Sequence, residues 1–358
     1  MAEARNAEAR RRLLSLLEAH DLDALVLRDP ANLAWYSGGG RSLIVEGPWP
    51  PVFDIVVRQS GDLLVTDEIE VERLLEEELP GVGLEAEILR WGVPRDAVLP
   101  GGPRTGSDMA IPGQVDLARE IEAARRSLTP AEVDRYRALG VETAAAITQT
   151  IGSLKPEDRE WDAAAMLAQR VLGIRAQPVV LLVAGEARLP RFRHPPPTSV
   201  AIGRRAMLVV CARRDGLIAN VTRLVNFGQL DAEAHEAYAR LLRVEAAFLD
   251  ATLPGRRVGD VFRDGTEAYA ANGFDVDEWR RHHQGGPAGY MPRDYLATTA
   301  SDATVEASQA FAWNPSVPGL KVEDTVVTAS DDVEVLTVDP AWPTVEVGGR
   351  TRPAILER

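Results

Sequence analysis

Along the first 120 residues, stretches with apolar positions at helical spacing alternate with short apolar runs of strand type. The opening segment "MAEARNAEARRRLLSLLEAH" predicts an amphipathic helix, since Arg and Glu recur between its leucines. It is followed by the strand "DALVLRD", the segment "NLAWYSGGG", and "PVFDIVVRQSGDLLVTD", which reads as two strands around a Gly-Asp turn. In "EIEVERLLEEELPG" the leucines recur at helical spacing and the pattern stops at Pro-Gly. These elements predict a small α/β domain over residues 1–125.

From residue 126 the pattern changes. Thr129 stands before Pro130 and three residues before Glu132, the arrangement of a reciprocal helix cap, and "EWDAAAMLAQRVLG" follows as a second helix. The rest is strand-rich but interrupted by two helices, "AEAHEAYARLLRVEAAFLDATL" and "VGDVFRDGTEAYAANG". It closes with strands around "AFAWNPSV", "EDTVVTA" and "VEVLT". Helices laid on antiparallel strands predict an α+β domain over residues 126–358. The proline-rich "RHPPPTSV" is too short for a linker and reads as a surface loop, and no solenoid-length repeat is visible.

Length and composition sharpen this picture. A chain of 358 residues is long for one domain, which agrees with the change of pattern near residue 126. A net charge of -14 with no Lys/Arg block argues against nucleic acid as a partner. No apolar run approaches the roughly 20 residues of a membrane span, and the N-terminal helix lacks the apolar core and cleavage site of a secretion signal, so the expected location is the cytoplasm. The single cysteine, Cys211, excludes an internal disulfide and a Cys-based zinc cluster; within an apolar strand pattern it reads as an inert buried thiol. Lysine occurs only at Lys155 and Lys321, which singles out Lys321 near the last strands.

Read in order, "DPANLAWYSGG", "LTPAEVDRYRALG", "NVTR" and "KVEDTVV" resemble the creatinase/prolidase/aminopeptidase P family, the M24 peptidases. The resemblance covers nearly the whole chain and implies a pita-bread catalytic domain behind a smaller creatinase-like α/β domain. Metal-dependent members hold two ions with Asp, Asp, His, Glu and Glu. Matched by position, these places fall on Val209, Asn220, Gly286, Asn314 and Glu323, and the family's following His-Glu pair falls on Arg293 and Asp294. One carboxylate with two neutral amides cannot offset the charge of two hard cations, so the resemblance implies that the dinuclear site is lost and that no metal or other cofactor is used. A single ion rebuilt from His282 or His283 with Glu323 and Asp294 is the alternative. Adjacent residues on a strand face opposite ways, so at most one of these two histidines is expected to reach such a site.

The resemblance gathers His194, Asn220, His282, His283, Gln284, Arg293, Asn314 and Glu323 at one cleft. Creatinase and the ectoine hydrolases of this family split C–N bonds without metal, and His194 stands at about the place of creatinase's histidine. His194 is therefore the candidate general acid or base, or else a surface histidine in a proline-rich loop. His283 is a candidate catalytic partner, and His282 and Gln284 line the cleft. Glu323 would hold a cationic substrate nitrogen or activate water, or be a leftover carboxylate paired with Lys321 or Arg223. Arg293 suits a substrate carboxylate, or forms a surface ion pair with Asp294. Asn220 and Asn314 suit a substrate amide, or fill the vacated space. In homodimers of this family the small domain covers the partner's cleft, so Arg41 is a candidate substrate contact, while Trp35 and Tyr36 form either the same lid or core.

The expectation is a metal-independent hydrolase or related C–N bond-cleaving enzyme acting on a small amino-acid-like, guanidino or amidine metabolite, as a homodimer. A non-catalytic pseudopeptidase that binds a ligand or partner is the rival, and an Xaa-Pro peptidase the third reading.

Overall fold

The computed structural model describes residues 3–45, 47 and 49–358. Met1 and Ala2, which open the expected first helix, lie outside them. The chain divides into two compact units: Met1–Arg126 with the turn Asp215–Leu217, and Ser127–Arg214 with Ile218–Arg358.

The first unit opens with α1 (Glu3–Ala19), β1 (Ala24–Leu27), α2 (Pro30–Ser37), β2 (Asp54–Val57) and β3 (Leu63–Asp67). It continues with α3 (Val71–Arg73), β4 (Glu85–Leu89), β5 (Thr105–Ser107), β6 (Val115–Asp116) and α4 (Ala118–Arg126). Its six strands run in the order β4-β3-β2-β1-β5-β6. All four residues of β1 are buried, as expected of a central strand covered on both faces. The segment "PANLAWYS" is α2, because Asp29 accepts from the Ala31 and Asn32 amides, Pro30 occupies the first turn, and Gly38 ends the helix at φ +73°. Trp35 and Tyr36 are buried in this unit, so they are core. The leucine-rich stretch after β3 differs from the expected helix: α3 is one turn and passes into a wider five-residue turn over Leu74–Glu78, where Leu74 alone is buried. A helix with so narrow an apolar stripe gains little from packing.

The second unit contains α5 (Pro130–Ser153), α6 (Glu160–Gly173), β7 (Gln177–Gly185), β8 (Arg205–Arg214), β9 (Leu217–Asn226), α7 (Ala232–Ala251) and α8 (Val258–Ala271). There follow β10 (Gly285–Ala288), β11 (Ala310–Trp313), β12 (Ser316–Val317), β13 (Leu320–Lys321), β14 (Asp324–Thr328) and β15 (Val333–Val335), then β16 (Thr344–Val347), β17 (Arg350–Pro353) and β18 (Leu356–Glu357). The cap of α5 forms as its sequence predicts: the Glu132 amide donates to Thr129 Oγ1 and the Thr129 amide to Glu132 Oε2, at 3.3 and 2.7 Å.

Two four-stranded sheets, β18-β9-β8-β7 and β10-β11-β14-β15, carry this unit, and an isolated bridge pairs Thr222 of β9 with Glu323 just ahead of β14. Helices α7 and α8 supply Leu242, Phe248, Phe262 and Tyr269 to the main core, where Phe248 stacks on Trp313 at 4.8 Å between ring centroids. Val209 of β8 belongs to that core, and Cys211 on the same strand is also buried, which pushes its thiol up to about 12. Among the described residues no helix is long and apolar enough to cross a membrane.

Candidate functional site

Strand alternation sorts the charges around the bridge between the two sheets. Successive side chains of an extended segment face opposite ways, so Thr222 meets Glu323 on one face while Arg223 meets Asp324 on the other. Thr222 Oγ1 donates to Glu323 Oε2 at 2.7 Å, and Arg223 Nη2 to Asp324 Oδ1 at 2.9 Å. The Arg223 side is a buried network in which Arg352 joins Asp324 to Glu245, at 2.6 and 2.5 Å, and Thr337 donates to Asp324. Its members mutually satisfy their charges and hold the strands together.

The Glu323 side is different. Glu323 Oε1 accepts from Arg293 Nη2 at 2.7 Å, and Oε2 lies 2.8 Å from Lys321 Nζ. All three side chains are at most 9% exposed. Burial by itself raises the Glu323 pKa, but Lys321 and Arg293 outweigh it and hold the carboxyl well below the usual range. Glu323 is thus an ionised carboxylate saturated by its neighbours. Arg293 pairs with Glu323 and also donates to the Pro292 carbonyl, so it does not present an open fork, and its buried Nε has no partner.

The histidines gather beside this triad. His194 lies in the loop between β7 and β8, which reads as irregular structure as expected, and Arg193 anchors that loop to Glu278 in the 3-10 turn Glu278–Arg281. The same turn presents His282 and His283. Neither belongs to a strand, since β10 begins only at Gly285, so strict alternation does not apply and both rings enter the cluster, contrary to the expectation that at most one would. Ring centroids are 4.7 Å apart for His194 and His282, 5.1 Å for His194 and His283, and 4.6 Å for His282 and His283.

His282 Nε2 lies 3.0 Å from His194 Nε2, and His282 Nδ1 lies 3.0 Å from Ser316 Oγ. Ser316 is the register partner of Lys321 in the β12–β13 hairpin, which is how one tight turn delivers both. Desolvation, only partial at the exposed His194, and then the Lys321 ammonium lower the pKa of His194 and take His282 down to about 2; for His283, lowered to about 4, desolvation is followed by Arg293. All three imidazoles are neutral at neutral pH. His194 is exposed, His282 is buried, and His283 is intermediate with its Nδ1 buried and without a partner.

The remaining expected residues sit as follows. Gln284 is a brace: its Oε1 accepts from Tyr269, and its Nε2 donates to the Trp279 and His282 carbonyls at 2.8 and 2.7 Å, which turns it away from any ligand. Asn220 and Asn314 are buried, and each has an Oδ1 with no partner. Asn220 Nδ2 donates to the Ile218 carbonyl, and its amide to Thr325 Oγ1. Gly286 lies in β10 opposite Ala312. Arg41 belongs to the first unit, where it is exposed and paired with Glu78 at 2.7 Å. Sequence reasoning missed Ser316 and Thr222 as members of the site. The alternation in "NVTR" and "KVEDT" carried the signal for Thr222; nothing local marked Ser316.

Folds of this kind are known. The dipeptidase PepE of Mycobacterium ulcerans superposes with a TM-score of 0.80 at 17% identity, covering 100% of this chain and 99% of that one. The prolidase of Pyrococcus horikoshii gives 0.79 at 15%, covering 92% and 98%. The N-terminal domain of the FACT complex subunit SPT16 from chickpea gives 0.67 at 13%, covering 93% and 96%. At such identities the likeness establishes the fold: a prolidase-like chain with an N-terminal α/β domain and a pita-bread domain. An uncharacterized peptidase of Staphylococcus aureus is 26% identical over 124 residues, 33% of this chain and 35% of that relative's length. Residues 134–335, more than half of the chain, match the model of metallopeptidase family M24, and the chain belongs to that family.

Proposed function

We propose that this M24 chain is a metal-independent hydrolase, or a related enzyme, that cleaves a C–N bond in a small amino-acid-like, guanidino or amidine metabolite, with His194 as the proton-transfer group. The observation that carries this reading is the chain Ser316–His282–His194, linked by two contacts of 3.0 Å and ending at an exposed imidazole. In the tautomer where His194 Nε2–H donates to His282, the His194 Nδ1 lone pair is the base. A proton taken up there stays on His194, whose Nε2–H is held by the neutral His282 that Ser316 orients.

Of the five positions to which family resemblance assigns metal ligands, Val209 and Gly286 offer no donor, and Asn220 and Asn314 no charge. Around Glu323, Lys321 and Arg293 supply the positive charge that ions would otherwise provide. The unpartnered Oδ1 atoms of Asn220 and Asn314 suit the N–H groups of an amide, guanidinium or amidinium. Arg293 and Glu323 act in this reading as a fixed electrostatic floor beneath the substrate, with His283 beside it.

A thermal-shift screen of amino-acid, guanidino and amidine compounds, followed by turnover assays, tests it. His194→Ala is expected to abolish turnover with fold retained, because the residue lies in an exposed loop. With the His194 pKa below its ordinary 6.5, the acidic limb of kcat/KM, where His194 becomes protonated, is expected to be centred below that value. Undiminished turnover in His194→Ala, or an acidic limb centred above that value, removes His194 from the mechanism.

The saturation of Glu323 favours a second reading, a pseudopeptidase that binds a ligand or partner without turnover. Hits in the screen with no turnover of any of them would select it. An Xaa-Pro peptidase, as the names of the structural neighbours would have it, ranks third, since its two-ion chemistry needs carboxylates that these positions lack.

A further inference from the structure

Three of the five histidines of the chain, His194, His282 and His283, bring ligand nitrogens within 4.8 Å of one another. They come from two segments, the loop after β7 and the turn before β10, which the Arg193–Glu278 pair ties together. Two features set the cluster apart from an ordinary polar patch. His283 Nδ1 is buried without a partner, a costly state for a nitrogen that carries either a lone pair or a proton. His282 has Nδ1 on Ser316 Oγ at 3.0 Å, so its Nε2 is aimed at the cluster; metal-bound histidines are held by the same kind of contact on the other ring nitrogen.

We propose that His194, His282 and His283 form a site for a single borderline transition-metal ion, Zn²⁺ or Co²⁺, separate in its residues from the five positions that family resemblance assigns to the dinuclear pair. Three imidazoles suit such ions and not Mg²⁺ or Ca²⁺, which prefer oxygen. Zinc–nitrogen bonds of about 2.0–2.1 Å place two ligands of a tetrahedral ion about 3.3 Å apart. The 3.0 Å between His194 Nε2 and His282 Nε2 is already near that value, and the His283 donor closes from within 4.8 Å by side-chain rotation. His194 is exposed, so a fourth position opens to solvent. The charged groups beside the cluster are Lys321, Arg293 and Glu323, together one positive charge. They make the affinity lower than that of a carboxylate-rich site and favour an anion as the fourth ligand.

The site stands on geometry and does not require turnover. Under the function proposed above, a bound ion takes the lone pairs that the proton-transfer chain uses and therefore inhibits.

The full chain, stripped with chelator and made without a polyhistidine tag, is titrated with Co²⁺ by visible absorption and with Zn²⁺ against a chromophoric chelator. The expected result is one ion per chain with an intense tetrahedral-type cobalt spectrum. His194→Ala and His283→Gln each abolish that binding, and Ser316→Ala weakens it by about 10–100-fold, the usual effect of losing a ligand's orienting partner. Using the exposed His194 and the half-buried His283 keeps the test clear of a folding defect at buried His282. Absence of the cobalt spectrum, or unchanged stoichiometry and affinity in both histidine variants, overturns the site. Activity is read separately: inhibition by the bound ion accords with the site and with metal-independent chemistry, whereas activation keeps the site and overturns metal independence.

Discussion

Lys321 is one of two lysines in the chain, and its ammonium sits 2.8 Å from Glu323 with both side chains almost fully buried. Removing one member of a buried ion pair costs about 3–5 kcal/mol, because the charge left behind has lost both water and partner. Arg293 still faces Glu323 Oε1 in a Lys321→Met chain, so the loss is expected at the lower end, about 3 kcal/mol by urea denaturation. Glu323→Gln instead leaves both Lys321 and Arg293 without their shared carboxylate, and is expected to cost more than Lys321→Met. A Lys321→Met chain as stable as the parent, or a Glu323→Gln chain less affected than it, would show that the triad is not the electrostatic unit described. Glu323 was singled out from the sequence with Lys321 as a possible partner. Arg293 was placed with Asp294 or a ligand instead, because its contact with Glu323 spans 30 positions and leaves no local trace.

At the scale of elements, helix α8 approaches α7 through Gly265. A Cβ built there would lie 2.3 Å from the Phe248 ring, which is fully buried and stacked on Trp313. Gly265→Ala gains up to about 1 kcal/mol of helix propensity. Overpacking a rigid core costs about 1–3 kcal/mol, and a ring held between two helices and a sheet has little room to yield. Net destabilisation is therefore expected, and a Phe248→Leu second change is expected to relieve part of it. A raised melting temperature in Gly265→Ala would show that α7 and α8 separate easily. Helix boundaries such as Thr129-Pro130-Glu132 were legible because a cap is made within four residues. Strand-like alternation does not hold for His282 and His283, because a 3-10 turn feeds into β10 there, and only the three-dimensional path brings the two rings together.

At the scale of the molecule, the proposed enzyme is expected to be a homodimer in which Arg41 reaches the partner's cleft. Arg41 is exposed and paired with Glu78, so it has an anchor but remains accessible. Light scattering is expected to report twice the 38.9 kDa chain mass. Once a substrate is known, Arg41→Ala is expected to raise KM with little change in kcat, since a lid contact exists in both the ground and the transition state. A monomer at micromolar concentration, or an unchanged KM, would remove Arg41 from the site.

By itself the sequence determined the elements and their class: the change from α/β to α+β character near residue 126, the capped helices and the buried strands. These depend on periodicity and on caps made within a few residues, and both are local. Through the family resemblance it also named the residues expected at the site, with Glu323 as the one carboxylate among the five assigned positions. The tertiary structure alone decided what those residues do to each other. It closed Arg293 and Lys321 onto Glu323, joined Ser316 to His282 and His282 to His194, and engaged Gln284 in bracing the histidine turn. Each of these is a contact between segments far apart in the chain, fixed by how two sheets and the loops between them pack. In such contacts burial and neighbouring charge set both protonation and availability, and neither can be read from a residue's neighbours in sequence.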